Sequence, residues 1–315
     1  MNIVLLDYMT LGEDLDLSAL YKFGNVIKYP TSTQEEAKLR IYNADIIVVN
    51  KTKIAKDLID CAPHLKLICE AATGYDNIDI KYCAERGIKV TNTPAYSAPS
   101  VAQVTISMAC NLITHLNKYK NFVHSGEYQK SNSANKLTPV YHELCGLTWG
   151  IIGFGNIGKA VGKIAEAFGC KLLVNKRTPI DGYECVGVET IIKNSDIISI
   201  HCPLTNQTRN LIDEKELNMA KPNAIFINVA RGGVWNEEAV ANAILEGKIG
   251  GIGCDVFSTE PFSQEHPFNK ILDNDNVILT PHMSWGSFEA RTRCFNTIIG
   301  NIEAFLSGKA QNVIN

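Results

Sequence analysis

Short apolar runs alternate along the chain with stretches whose apolar residues return every three or four positions, the periods of buried strands and amphipathic helices. In the first third, Asn2–Leu6, Val26–Tyr29, Asp45–Val49, Leu65–Ala71 and Lys89–Thr91 read as strands. Between them, Leu15, Leu17, Leu20 and Phe23 recur at roughly helical spacing, and Thr33 with Glu36 predicts a capping box opening a helix through Ala37 and Tyr42. Ile54–Cys61, stopped by Pro63, and Ile80–Arg86 read as further helices. This alternation predicts a parallel sheet with helices on both faces. Thr91–Ser100 carries Pro94 and Pro99 and reads as a hinge or linker. Ser100–Lys118 predicts one long helix, apolar around most of its circumference and so buried between domains or at a subunit contact. Asn121–Glu143 is polar and reads as an exposed, irregular loop.

The segment Gly146–Arg177 organises the rest of the chain. Leu147–Ile152 predicts a buried strand, Gly153, Gly155 and Gly158 stand in the spacing G-x-G-x-x-G, and Ile157, Val161, Ile164, Ala165 and Phe168 mark one face of a helix. Lys171–Val174 closes the unit as a second strand. Strand, glycine turn, helix and strand in this order point to dinucleotide binding. Gly153 serves the tight turn, Gly155 lets a pyrophosphate approach the backbone, and Gly158 lets the helix pack on the strand. The helix start offers free N–H groups and a positive dipole end to phosphate. The alternation then resumes: strands at Ile197–His201, Ala224–Asn228, Gly251–Val256 and Val277–Leu279, helices at Glu214–Met219, Glu237–Glu246 and Phe288–Leu306.

The chain has 315 residues, too many for one ordinary domain. The expected division is discontinuous. Residues 1–98 with 286–315 form a substrate domain, and 99–285 form the inserted dinucleotide-binding domain. A substrate is expected in the cleft between them. The net charge is −3, which gives no basic excess for nucleic acid and no polybasic tract for a membrane surface. No apolar run reaches a transmembrane length, and the opening MNIVLLDYMT reads as a strand and not a signal peptide. The ten cysteines are scattered singly, which suggests reduced thiols and a cytoplasmic setting.

Three residues beyond strand ends could carry chemistry. Arg231 lies in NVARGGVW, where a guanidinium could clamp a carboxylate with two parallel bonds. Glu260 lies in DVFSTEP and His282 in TPHMSW. A histidine can protonate a carbonyl oxygen near neutral pH while hydride reaches the carbon. A neighbouring carboxylate would orient the ring and favour its charged form. His64, His115, His124, His142 and His266 receive no role, and Cys202 reads as a packed thiol. No serine elbow, H-E-x-x-H or acidic metal cluster is present, so no metal is expected.

The motifs ATGYDNID, NTPAY, GIIGFGNIG, HCPLT, NVARGG, DVFSTEP and TPHMSW together resemble the D-isomer-specific 2-hydroxyacid dehydrogenase family along essentially the whole chain. The resemblance implies an α/β fold of two Rossmann-like domains with parallel sheets, the cofactor domain inserted into a discontinuous substrate domain. It implies Arg231, Glu260 and His282 as the catalytic set. It places the cofactor against Gly153, Gly155, Asn156, Ile157, Gly158, Asn175, Lys176, Arg177, Thr178, His201, Cys202, Pro203, Thr208, Val229, Ala230, Asp255 and His282. It places the substrate against Lys51, Thr73, Gly74, Tyr75, Arg231, His282 and Trp285. It also implies a homodimer formed through the cofactor domain and its long helix. The Trp285 element, Asn50–Ile54 and the SGKAQNVIN ending resemble the glycerate dehydrogenase or hydroxypyruvate reductase branch. Related members use lactate-like or phosphoglycerate-like acids, and some of the wider family are nucleotide-sensing corepressors. The intact Arg231, Glu260 and His282 argue for turnover of a small 2-oxo or 2-hydroxy acid.

One position departs from the simplest pattern. An NAD site expects an acidic residue at the end of the second strand, to accept from the ribose hydroxyls. Here the run is Asn175-Lys176-Arg177-Thr178. Asn175 removes the repulsion of a 2′-phosphate, and two cations and a hydroxyl follow it. The expectation is NADP(H), with NAD(H) as the alternative.

Overall fold

The computed structural model describes residues 1–309 and 311–315. The chain divides into two compact units, Met1–Ser97 with Gly286–Asn315, and Ala98–Trp285.

The first unit is built on five parallel strands, β1 (Asn2–Leu5), β2 (Asn25–Lys28), β3 (Ile46–Val49), β4 (Leu67–Glu70) and β5 (Lys89–Thr91). Their order is β2-β1-β3-β4-β5, with Val4 opposite both Ile27 and Ile47. Every residue of β3 and β4 is buried, the pattern of a sheet covered on both faces. Three helices, α1 (Gln34–Arg40), α2 (Lys56–Ile59) and α3 (Ile80–Glu85), connect the strands. At α1 the capping box forms: Glu36 N–H donates to the Thr33 hydroxyl, and Thr33 N–H donates to the Glu36 carboxylate.

The second unit carries six parallel strands, β6 (Thr148–Ile152), β7 (Lys171–Asn175), β8 (Ile197–Ile200), β9 (Ile225–Asn228), β10 (Gly251–Cys254) and β11 (Val277–Leu279). Their order is β11-β10-β9-β8-β6-β7. The helices are α4 (Ala98–Ile113), α5 (Leu116–His124), α6 (Glu127–Lys130), α7 (Asn156–Ala167), α8 (Val188–Asn194), α9 (Glu214–Met219) and α10 (Glu237–Leu245). Trp149, Phe154, Trp235, Phe226 and Phe268 are fully buried around this sheet, and Trp149 Nε1 donates to Ser199 Oγ at 2.9 Å. The chain runs from β6 outward to β7 and then crosses to β8 on the other side. The carboxyl ends of β6 and β8 therefore flank a topological switch point.

The chain then returns to the first unit through α11 (Phe288–Leu306). Cys294 Sγ donates to Ala71 O at 3.4 Å and Asn301 Nδ2 to Asn92 O at 3.0 Å, while Val313 bridges Thr91 in antiparallel fashion beside β5. Among the described residues, no helix is long and apolar enough to cross a membrane.

Three expectations are corrected. The long helix over Ser100–Lys118 stops at Ile113, because His115 adopts the left-handed conformation at φ 50° and turns the chain before α5 starts. The supposed loop Asn121–Glu143 contains the end of α5 and all of α6; Leu116, Tyr119 and Val123 hold a helical spacing that the surrounding polar residues obscured. Phe168 lies just past the end of α7 and is 45% exposed, so it does not continue that helix's packed face. Helix α8 was not expected; Val188, Ile191 and Ile192 set its buried side.

Candidate active site

The glycine turn joins β6 to α7. Gly153 has φ +93°, and a Cβ there would lie 2.5 Å from Cys202 N. Only glycine allows this turn to press on the segment after β8. A Cβ on Gly158 would lie 2.4 Å from Gly153 O, so its absence lets α7 close on the strand. Gly155 caps the twelve-residue α7, and a Cβ on it would meet nothing within 4 Å. That open space stands at the helix N-terminus, next to the exposed Asn156 and half-buried Ile157.

The segment after β8 packs against this turn. His201 N–H donates to Ile152 O at 2.7 Å. Both ring nitrogens of His201 are buried without a hydrogen-bond partner, and burial pulls the ring's pKa down to about 3, so it is neutral at physiological pH. Burial pushes the Cys202 thiol up to about 11, consistent with a packed thiol. Pro203 is exposed, and its carbonyl accepts from the Thr208 hydroxyl at 2.6 Å, which closes the 203–208 turn.

At the end of β7, Gly153 N–H and Phe154 N–H donate to Asn175 O at 3.1 and 3.2 Å. Asn175 Nδ2 donates to Val186 O at 2.9 Å, so its amide is turned onto the unit's own backbone and its Oδ1 remains as an acceptor. Lys176, Arg177 and Thr178 are exposed, and among the described residues neither cation has an ion-pair partner.

Arg231, Glu260 and His282 follow β9, β10 and β11, three neighbouring strands. Val229 is buried, and Ala230 N–H donates to the buried Asn228 Oδ1 at 3.1 Å. Asn228 Nδ2 donates in turn to Arg231 O at 2.9 Å, and Arg231 Nη1 donates to Ala230 O at 2.9 Å. The His282 ring meets Glu260 through Nδ1 and Oε2, 2.6 Å apart, with both side chains partly exposed at 24% and 31%. The other Glu260 oxygen accepts from Phe257 N–H at 3.0 Å. With a carboxylate on Nδ1, that nitrogen carries the proton, and Nε2 is the position left for exchange. His282 adopts φ 52°, a left-handed conformation uncommon for a side chain of this size.

Asp255 supports that turn. Its sequence position suggested a cofactor contact; in the structure it is 1% exposed, and its carboxylate accepts from Thr280 Oγ1 at 2.6 Å, Met283 N–H at 2.9 Å and Ser284 N–H at 3.0 Å. Those donors bracket His282. Trp285, the next residue after Ser284, is half-buried.

Lys51, Thr73, Gly74 and Tyr75 belong to the other unit, after β3 and β4. Thr73 Oγ1 donates to Thr93 O at 2.9 Å and Thr73 O accepts from Asn92 Nδ2 at 2.8 Å, which stitches that loop down. Sequence reasoning missed Asp7. This buried carboxylate accepts N–H bonds from Asn50, Lys51 and Thr52 at 3.0, 2.8 and 2.8 Å, and so fixes the segment bearing Lys51. An aspartate directly after an apolar strand was the available signal. It also missed Glu70, wholly buried at the end of β4, where burial lifts its pKa well above the ordinary range. Among the described residues no metal-binding cluster occurs.

Comparison with known proteins places this geometry. Residues 106–284 match the NAD binding domain of D-isomer specific 2-hydroxyacid dehydrogenases. The chain is 34% identical over 324 residues to a hydroxypyruvate reductase of Blautia hydrogenotrophica, covering 100% of both chains. The protein belongs to the D-isomer specific 2-hydroxyacid dehydrogenase family. It is similar over 90% of both chains to a glycerate dehydrogenase of Methylorubrum extorquens, at 38% identity. A solved acyclic imino acid reductase in complex with NADPH and D-Arg shares the fold at TM-score 0.87 and 30% identity, covering 100% of both chains. As a member of this family, the dehydrogenase is an oxidoreductase that acts on CH–OH donors with a nicotinamide cofactor.

Proposed function

We propose that this dehydrogenase reduces the C2 carbonyl of hydroxypyruvate or glyoxylate and, in reverse, oxidises the corresponding small 2-hydroxy acid. The observation that carries the reading is the His282–Glu260 pair, set with Arg231 on adjacent strand ends of the unit that bears the glycine turn. The names of the similar hydroxypyruvate reductase and glycerate dehydrogenase support the substrate class.

A bound nicotinamide supplies the hydride to C2. His282 gives the Nε2 proton to the carbonyl oxygen in reduction and takes it back in oxidation. Glu260, on Nδ1, holds the ring in place and leaves Nε2 directed to the substrate. Arg231 polarises the carbonyl and pairs with the substrate carboxylate. The backbone amides of Thr73, Gly74 and Tyr75, with Lys51 and Trp285, complete the proposed substrate contacts.

The residues present fit a dinucleotide: Gly155 leaves open space at a helix N-terminus, and His201 has two buried ring nitrogens without partners. The pyrophosphate is assigned to Gly155, Asn156, Ile157 and Gly158, with the remainder of the cofactor along Cys202, Pro203, Val229 and Ala230. We assign the 2′-phosphate of NADPH to Lys176, Arg177 and Thr178, because two exposed cations follow an uncharged Asn175. NADH remains the alternative donor. A homodimer is part of the same reading. Leu116, Val123, Leu137, Val140 and Tyr141, all in the segment after α4, are each more than half exposed and suit a second copy of the chain.

A panel of 2-oxo acids followed by cofactor absorbance tests the reading. Turnover of hydroxypyruvate or glyoxylate, with kcat/KM higher for NADPH than for NADH, is the expected result. A folded protein that binds cofactor and reduces no 2-oxo acid would overturn it.

A further inference from the structure

A second layer of charge lies behind the His282–Glu260 pair. Glu237, the first residue of α10, is 9% exposed. Its Oε1 accepts from Ser258 N–H at 2.8 Å, and its Oε2 accepts from the Ser258 hydroxyl and faces His266 Nε2 at 3.0 Å. His266 Nδ1 accepts from Phe268 N–H at 3.2 Å. That bond uses the Nδ1 lone pair, so the proton sits on Nε2 and His266 donates to Glu237. The histidine is 8% exposed and its ring is boxed by Phe257, Phe262 and Phe268, with centroids 5.9, 4.8 and 5.0 Å away. Three donors and the start of a helix thus hold one buried carboxylate in a rigid setting.

Ser258 is two residues ahead of Glu260. The same short segment supplies Phe257 N–H to Glu260 Oε1. It is also pressed from the other side: a Cβ on Gly232, next to Arg231, would lie 2.0 Å from Phe257 C and 2.1 Å from Ser258 N. The backbone after Arg231 and the backbone before Glu260 are therefore in contact, and the Glu237–Ser258 bonds tie them together.

We propose that Glu237, held by His266, is a positioning residue that sets Glu260 against His282 by clamping Ser258. It touches neither substrate nor cofactor and acts only through the 257–260 segment. The inference rests on the catalytic roles given above to Glu260 and His282. It adds that the register of the pair is fixed from the start of α10, in the segment that follows Arg231.

The test uses the full-length enzyme and steady-state reduction of a 2-oxo acid across pH. Glu237→Gln, Glu260→Gln and the double variant are compared with the parent. Displacing a catalytic group by a fraction of an ångström to an ångström costs about tenfold to 10²-fold in rate. Glu237→Gln should lower kcat about tenfold, leave cofactor affinity and the KM for the 2-oxo acid within about twofold, and move the high-pH limb of kcat in the same direction as Glu260→Gln does. The double variant should lose little beyond Glu260→Gln alone, because both changes act on one interaction. Additive losses, or a Glu237→Gln enzyme with parental kcat and an unmoved pH profile, would overturn the clamp. If Glu237→Gln does not fold, Ser258→Ala decides: it keeps the backbone bond and removes only the hydroxyl, and a pH profile identical to the parent's would refute the proposal. A Glu260→Gln enzyme with parental rate and profile would instead count against the roles of the pair itself, a separate outcome.

Discussion

His282 is held at three points: by Glu260 on Nδ1, by a left-handed backbone, and by Asp255 gathering the N–H groups of Met283 and Ser284. Removing the ring leaves that scaffold in place. His282→Ala is expected to lower turnover by about 10² to 10⁴, the range for general acid–base catalysis, with cofactor affinity little changed. Single-turnover reduction measured beside cofactor titration reads both. Glu70 makes a different prediction, one about stability. Its Oε2 accepts from Asn77 Nδ2 at 3.1 Å, its Oε1 has no hydrogen-bond partner, and Asp7, Lys51 and Asp76 are the charges around it. Burial is the main cause that raises its pKa well above 4.5, and Asp7 and Asp76 add to it while Asn77 and Lys51 oppose. The folded state then holds a proton that the unfolded chain has released. Stability is unaffected below pH 4.5 and falls as pH rises from there through the folded value, at up to about 1.4 kcal/mol per pH unit. Glu70→Gln should therefore gain on the parent as pH increases from 5 towards 8, an interval of about 3 units, in urea unfolding. A constant offset across that interval would contradict the neutral carboxyl. The strand-end position of Arg231, Glu260 and His282 was legible in the sequence, because each follows an apolar run. Glu237 and His266 were not, since their pairing spans 29 residues and neither side chain's burial is visible in its neighbours.

At the scale of elements, the glycine turn separates two kinds of constraint. Gly158 faces protein: its added Cβ would meet Gly153 O at 2.4 Å and Ile151 Cγ2 at 3.1 Å. Gly155 faces open space and has φ −86°, which any residue adopts. Gly158→Ala should push α7 off β6 and destabilise the fold by about 1–3 kcal/mol, the cost of overpacking. Gly155→Ala should leave the melting temperature near the parent's and weaken nucleotide binding, because the methyl group fills open space at the helix start to which the pyrophosphate is assigned above. Calorimetry and equilibrium binding on both variants check the contrast; equal effects on stability would remove the distinction. The strand–turn–helix unit could be read in advance because it is local. The break between α4 and α5 could not, since a histidine at φ 50° leaves no mark comparable to glycine or proline. Helix α6, only Glu127–Lys130, is too short to impose a periodic pattern.

At the scale of the molecule, the two units differ in how the chain supplies them. Ala98–Trp285 is one continuous stretch with its own six-stranded sheet, whereas the five-stranded unit needs Gly286–Asn315 as well. A protein made of residues 98–285 alone is expected to unfold cooperatively and to bind the nicotinamide cofactor. Residues 1–97 alone are expected to lack a stable fold, because α11 buries Ala290, Cys294, Phe295, Ile298 and Ile302. Circular dichroism of the two fragments checks both expectations, and a well-folded 1–97 fragment would refute the second.

That asymmetry has a consequence in time. Synthesis runs from the amino to the carboxyl end, so β1 to β5 emerge before Ala98–Trp285 and yet wait for what comes after it. The segment that covers β4 and lines up beside β5, with Ile314 N–H on Val90 O, emerges only after the whole of Ala98–Trp285. Throughout synthesis of Ala98–Trp285 the earliest strands are a nascent sheet with one flank bare, while the later-made unit can already close. The interval in which this enzyme is most open to misassociation is therefore set by the length of its insertion, and slowing translation across 98–285 would lengthen it.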